Sequence, residues 1–167
     1  MSATTLSFDD LCAAIAQVPD PEVPVLTIED LGVLRSIEDQ DGTIVVTLTP
    51  TYSGCPAMQY IEDSVAAVMA DAGFSNTKIN TVFSPAWTTE WMSDEGKAKL
   101  SAYGIAPPHS LGPQQASSVS FTRRRPIACP QCGSTNTAVI SEFGSTACKA
   151  LYSCKSCSEP FDYFKEL

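Results

Sequence analysis

The chain is short of positive charge, of histidine and of uninterrupted apolar stretches, and each shortage removes a class of function. Lysine and arginine number 10 against 19 aspartates and glutamates over 167 residues, a net charge of −9. That balance repels a phosphate backbone at long range, so nucleic acid is not an expected partner. The single histidine, His109, lies among prolines and is not read as a ligand. It leaves no Cys-His pair for thiol catalysis. No segment approaches the roughly 20 apolar residues that span a bilayer. The opening "MSATTLSFDDLCAAIAQVPD" has no basic run leading into an apolar one. A cytoplasmic protein with no membrane partner is the expectation.

What remains is enough to fold: 44% of the residues are hydrophobic, and the length suits one domain with a small appendage. Seven cysteines are many for a cytoplasmic chain, and an odd number cannot pair off completely, which favours ligands or reactive thiols over a disulfide framework. Cys12 and Cys55 lie in the first hundred residues, whereas Cys129, Cys132, Cys148, Cys154 and Cys157 crowd into the last forty. Two modules are implied.

In the first module, Ser7 followed by Asp10 resembles a capping box, and Phe8, Leu11, Cys12 and Ile15 recur at helical spacing. This predicts a short helix ending near Pro19, with Cys12 as a packed thiol. Asp41-Gly42 separates two β-rich runs and signals a hairpin. Ile44, Val46 and Leu48 alternate with Val45, Thr47 and Thr49, which predicts a strand with one core face. After Pro56, the apolar positions Met58, Ile61, Val65, Val68, Met69 and Ala72 mark a helix that Gly73 can stop. "TKINTVFSP" supplies a third strand, and "TTEWMSDEGKAKLSAYG" a second long helix that breaks near Ser93. The fold class is α+β, a small three-stranded sheet packed with helices over 1–105. A Pro-, Ser- and Gln-rich linker at 106–126 follows, and then a β-rich ribbon at 127–167. The run Arg123, Arg124 and Arg125 in that linker is either a solvated stretch or a contact for an acidic partner.

The ribbon is read from "CPQCGS" and "CKSCSEP", which place Cys129-x2-Cys132 and Cys154-x2-Cys157 with twenty-one residues between the pairs. Two such turns point four thiolates at one metal, which replaces the core that forty residues cannot build. A closed four-thiolate site favours one structural zinc, although iron or an iron-sulfur cluster can occupy the same sulfurs. Cys148, separated from Cys154 by five residues, is packed, spare or an additional ligand. In the first module, Cys55 precedes Pro56 at the expected start of a helix. Orphan amides and the helix dipole should there favour the thiolate, the form that attacks and that binds metal.

"DPEVPVLTIEDLGVL" followed by "TPTYSGCPAM" resembles the signature of the iron-sulfur assembly domain of SufT and the eukaryotic cytosolic assembly factors. With the ribbon appended, the chain is similar nearly end to end to the PaaD (or PaaJ) family, subunits of the phenylacetyl-CoA epoxidase system of phenylacetate degradation. The resemblance implies an accessory protein with no catalytic activity of its own. It would help assemble or repair a metal centre in a di-iron oxygenase or reductase partner. Cys55 would be the cluster-handling thiolate, Thr51 would shape its loop, and Asp20 and Glu22 would lie nearby. Those two acids alternatively cap and brace the turn holding Pro21 and Pro24. One thiolate rarely holds a cluster, so a transient iron or iron-sulfur cargo would need a homodimer or borrowed ligands. The competing expectation is a docking subunit that binds the oxygenase through its ribbon.

Overall fold

A computed structural model describes residues 6–109 and 126–166. The linker expected over 106–126, including its arginine run, therefore lies largely outside the described residues. The chain divides into two compact units, Met1–Gly96 and Lys97–Leu167.

In the first unit, helix α1 (Phe8–Ala16) starts because the Ser7 Oγ accepts the Asp10 N–H at 3.1 Å. The same hydroxyl donates to the Asp10 carboxylate at 2.6 Å. Leu11 and Ile15 on its inner face are fully buried. Strands β1 (Leu34–Gln40) and β2 (Thr43–Leu48) form the expected antiparallel hairpin. Asp41 and Gly42 both take positive φ, 52° and 85°, and the Asp39 carboxylate accepts the Gly42 N–H. Helix α2 (Ala57–Asp71) then crosses to β3 (Thr77–Thr81), which pairs parallel with β2 from Ile44↔Thr77 to Leu48↔Thr81. The sheet order is β1-β2-β3.

One expectation changes in this unit. Val45 is buried together with Ile44, Val46 and Leu48, so β2 is covered on both faces. As the central strand it has neighbours on either side, and alternation in the sequence understates its burial. Helix α2 begins at Ala57 with Pro56 at its cap position and no side-chain cap bond, which places Cys55 next to the cap, as expected. At the other end of α2 the expectation holds: Gly73 (φ +88°) and Phe74 donate to Ala70 and Met69, closing a Schellman turn.

Past β3 the chain makes a 3-10 turn at Thr89–Trp91, is interrupted at Met92 and Ser93, and continues as α3 (Asp94–Tyr103). The interruption is held by Asp30, whose carbonyl accepts the Ser93 N–H and whose carboxylate accepts the Ser93 hydroxyl. Trp91 lies so close to Gly32 (φ +74°) that a β-carbon there would come within 2.5 Å of its carbonyl oxygen.

The second unit is a four-stranded sheet of order β4-β7-β6-β5, made of β4 (Ile105–Ala106), β5 (Thr137–Ser141), β6 (Lys149–Cys154) and β7 (Pro160–Phe164). Tyr152 stacks on Phe161 and meets Tyr163 edge-on, with centroids 5.8 and 5.6 Å apart. Among the described residues no helix is long and apolar enough to cross a membrane.

Candidate functional site

The loop that carries Cys55 leaves the carboxyl end of β2, and the acidic box is folded towards it by local hydrogen bonds. Asp20, 5% exposed, accepts the N–H groups of Glu22 and Val23 on one carboxylate oxygen, both at 2.8 Å. Its own N–H donates to Leu26, and Pro19 bridges Thr27. Asp20 therefore braces its turn. Its charge, like that of Glu22, also acts on the Cys55 sulfur. Of the expected set, Glu22 and Asp20 thus act on Cys55 through their charges, and Thr51 lies in the same loop as Cys55.

The electrostatics of Cys55 differ from the sequence expectation. Half-burial raises its pKa, and the negative charges of Glu22 and Asp20 push the same way. The Ala57 N–H and the Tyr52 hydroxyl, both hydrogen-bonded to the sulfur, oppose this without prevailing. The amide contribution foreseen from the helix start is thus present but outweighed. At neutral pH the group is a thiol in the field of two carboxylates.

Sequence reasoning did not find the neighbours of this loop. Tyr52, Phe83, Ala86 and Trp87 join Thr49, Pro50, Thr51 and Ser53 around a cleft of about 160 Å³. Trp87 is fixed by its indole N–H donating to the Leu31 carbonyl at 2.9 Å, a contact across 56 positions that leaves no local pattern. Asp30, buried, exchanges hydrogen bonds with Thr27 in a reciprocal cap. That T-x2-D spacing was visible in the sequence.

In the ribbon, the sulfurs of Cys129, Cys132, Cys154 and Cys157 all lie within 4.8 Å of one another. The separations Cys129 to Cys157 and Cys132 to Cys154 are 3.8 and 3.5 Å. Zinc-thiolate bonds of about 2.3 Å at tetrahedral angles place sulfurs about 3.8 Å apart, so the four residues fit a tetrahedral metal. The turns that aim them are defined by Gly133 (φ +72°) donating to Cys129 and by Ser158 (φ +65°) donating to Cys154. A Ser134-Ser156 hydroxyl contact at 2.8 Å ties the knuckles together. The N–H groups of Cys157 and Ser156 point at the Cys154 sulfur and lower its pKa, while the crowding of neighbouring sulfurs raises that of Cys157. Cys148 is buried, 3.0 Å from the Thr146 hydroxyl, and does not join the four. Cys12 and His109 are likewise outside that group.

Comparison with known proteins agrees with both modules. Residues 9–80 match the family model "Iron-sulfur cluster assembly protein", and residues 113–165 match "PaaD zinc beta ribbon domain". A protein of Escherichia coli (strain K12), assigned as one of the subunits of 1,2-phenylacetyl-CoA epoxidase, is 46% identical over 161 residues, 93% of this chain and 91% of that protein. The chain belongs to the PaaD family. Its first unit also resembles shorter proteins. An Fe-S protein maturation auxiliary factor of Porphyromonas gingivalis is 35% identical over 94 residues, 55% of this PaaD-family chain and 89% of that factor. SufT of Staphylococcus aureus, which carries the same description, is 36% identical over 85 residues, 50% and 96% of the two chains. The crystal structure of a domain of unknown function (DUF59) from Bacillus anthracis superimposes with a TM-score of 0.51 at 29% identity, covering 55% of this chain and 89% of that one. The PaaD-family chain thus joins an α+β assembly-type domain to a cysteine-bearing ribbon.

Proposed function

We propose that this protein is an accessory factor of a phenylacetyl-CoA epoxidase. It would help assemble or repair an iron or iron-sulfur centre in a di-iron oxygenase or reductase subunit, with Cys55 as the thiol that handles the cargo. The observation that carries this reading is the grouping of Cys55 with Tyr52, Glu22 and Asp20 in a domain of the iron-sulfur assembly family. A protonated, half-buried thiol suits transfer better than storage. An incoming metal must displace its proton, and a single thiolate holds its cargo weakly compared with the four of a resident cluster. Thr51 shapes the loop, and the ribbon holds a structural zinc through its four cysteines.

The deciding experiment is metal and acid-labile sulfide content of protein purified without oxygen, for the intact chain and for Cys55→Ala. Iron and sulfide that vanish with Cys55 while zinc stays near one per chain are expected. Zinc alone in both, even after iron-sulfur reconstitution, would sink the reading. A docking role for the ribbon has its own support: Ile140 and Phe143, at and just beyond the edge strand β5, are 57% and 71% exposed. If that role dominates, Ile140→Asp abolishes association with the oxygenase and Cys55→Ala has no effect.

A further inference from the structure

The cleft next to Cys55 is too small for a cofactor and well suited to one side chain. Its volume of about 160 Å³ falls below the roughly 300 Å³ at which small-molecule pockets begin. Pro50, Phe83, Ala86 and Trp87 give it an apolar part, Thr49, Thr51, Tyr52 and Ser53 a polar part of similar extent, and the Leu31 hydrogen bond keeps Trp87 in place. Phe83 is 60% exposed, a large apolar surface at the cleft beside the indole of Trp87 in its lining. Tyr52 connects the cleft to the thiol, since it both lines the cleft and hydrogen-bonds the Cys55 sulfur.

Charge narrows the choice of occupant. Residues 1–96 carry 15 Asp and Glu against two basic residues, Arg35 and Lys78, a net −13. Residues 97–167 carry four acidic against eight basic residues, a net +4. Of the two basic groups in the first unit, Arg35 lies over the Trp91 ring at 3.6 Å. A segment approaching the cleft therefore enters the field of a strongly negative unit, in which the charges of Glu22 and Asp20 act on the neighbouring Cys55.

We propose that the cleft is where a client protein docks. It receives one aromatic or large aliphatic side chain from a client loop whose flanking residues are lysine or arginine. The apolar anchor supplies affinity, and the net negative charge of residues 1–96 selects and steers the basic flanks. This inference rests on the reading of Cys55 as the cargo thiol and names what brings the client to it.

The test titrates the full chain with a blocked Lys-Lys-Phe-Lys-Lys peptide while following the resonances of Thr51, Tyr52, Ala86 and Trp87. Saturable shifts at these residues are expected, weakened by salt. Binding should fall about tenfold or more with Phe83→Ala, with an alanine-centred peptide and with Glu-Glu-Phe-Glu-Glu. Equal binding of the acidic peptide, or no shift in the cleft, overturns the proposal. So does an equal response to phenylalanine amide, which would make the cleft a small-molecule site, or concentration-dependent shifts of the protein alone, which would assign it to a second copy. The same titration on Cys55→Ala separates the two readings. Docking that persists while iron and sulfide are lost supports both. Iron and sulfide bound at Cys55 without docking overturns only the cleft proposal.

Discussion

In the first unit Leu11, Ile15, Leu26, Ile28, Val46, Leu48, Ile61 and Met69 are all but sealed from solvent, and none of them is chemically special. Among the described strands of the ribbon, Phe164 is the one large apolar residue sealed as completely. The cluster that contains its cysteines consists of Ala106, Ile127, Ala150, Phe161 and Tyr163 with Cys129 and Cys154, two of the four cysteines that fit a metal. The same sulfur atoms that close the fold would hold the ion, so folding and metal binding are one event there and two separate matters in the first unit. The contrast extends to charge, −13 against +4. A unit folded by its own apolar core can carry a reactive group at its surface, while a metal-stapled one must commit its cysteines to structure.

The sharpest way to break this comparison is to remove the metal. Chelation, or Cys154→Ala, should unfold the β5–β7 sheet and leave the first unit intact, because structural zinc contributes about 10 kcal/mol or more in small modules. Amide hydrogen exchange resolved by residue would read it, and protected β6 amides in metal-free protein would refute it. Next in size is Leu48→Ala, which should cost the first unit about 3 kcal/mol without changing metal content. Calorimetry with metal analysis would register both. Ser7→Ala removes the cap of α1 and should cost about 1 kcal/mol, seen as a lower urea midpoint of the first unit.

The smallest effect concerns reactivity. The raised pKa of Cys55 means that the folded state binds this proton more tightly than the unfolded chain does. The contribution is therefore fully present below the ordinary thiol pKa of about 8.5 and is lost as pH rises through the higher folded value. Alkylation of Cys55 at mildly alkaline pH should be slower than that of a model thiol, and Glu22→Gln should speed it about two- to threefold. An unchanged rate would mean that Glu22 is electrostatically irrelevant to the sulfur.

Much of this was legible because it is local. The cap at Ser7, the turn at Asp41-Gly42, the stop at Gly73, the break near Ser93 and the two C-x2-C turns each rest on residues a few positions apart. What was not legible depends on distance or on a balance of opposing effects. The cleft needs Trp87 against Leu31 and the β3 exit against the β2 exit, contacts that no periodicity encodes. The position of Cys55 next to a helix start was readable, but its protonation depends on burial and on two carboxylates more than thirty residues earlier. The acidic box was legible as a motif, and its turn-bracing geometry emerged only with the hydrogen bonds of Asp20.

Because β2 and β3 run parallel, the loop leaving one and the segment leaving the other emerge at the same rim of the sheet, where Val82 donates to Leu48. A hairpin would have sent them to opposite rims. The thiol and the wall of its cleft therefore become neighbours only after the whole α2 crossover has closed. During synthesis the nascent chain carries Cys55 well before Phe83, Ala86 and Trp87 exist to flank it, and a protein released before that point would present the acidic turn and the thiol without the surface that selects what reaches them.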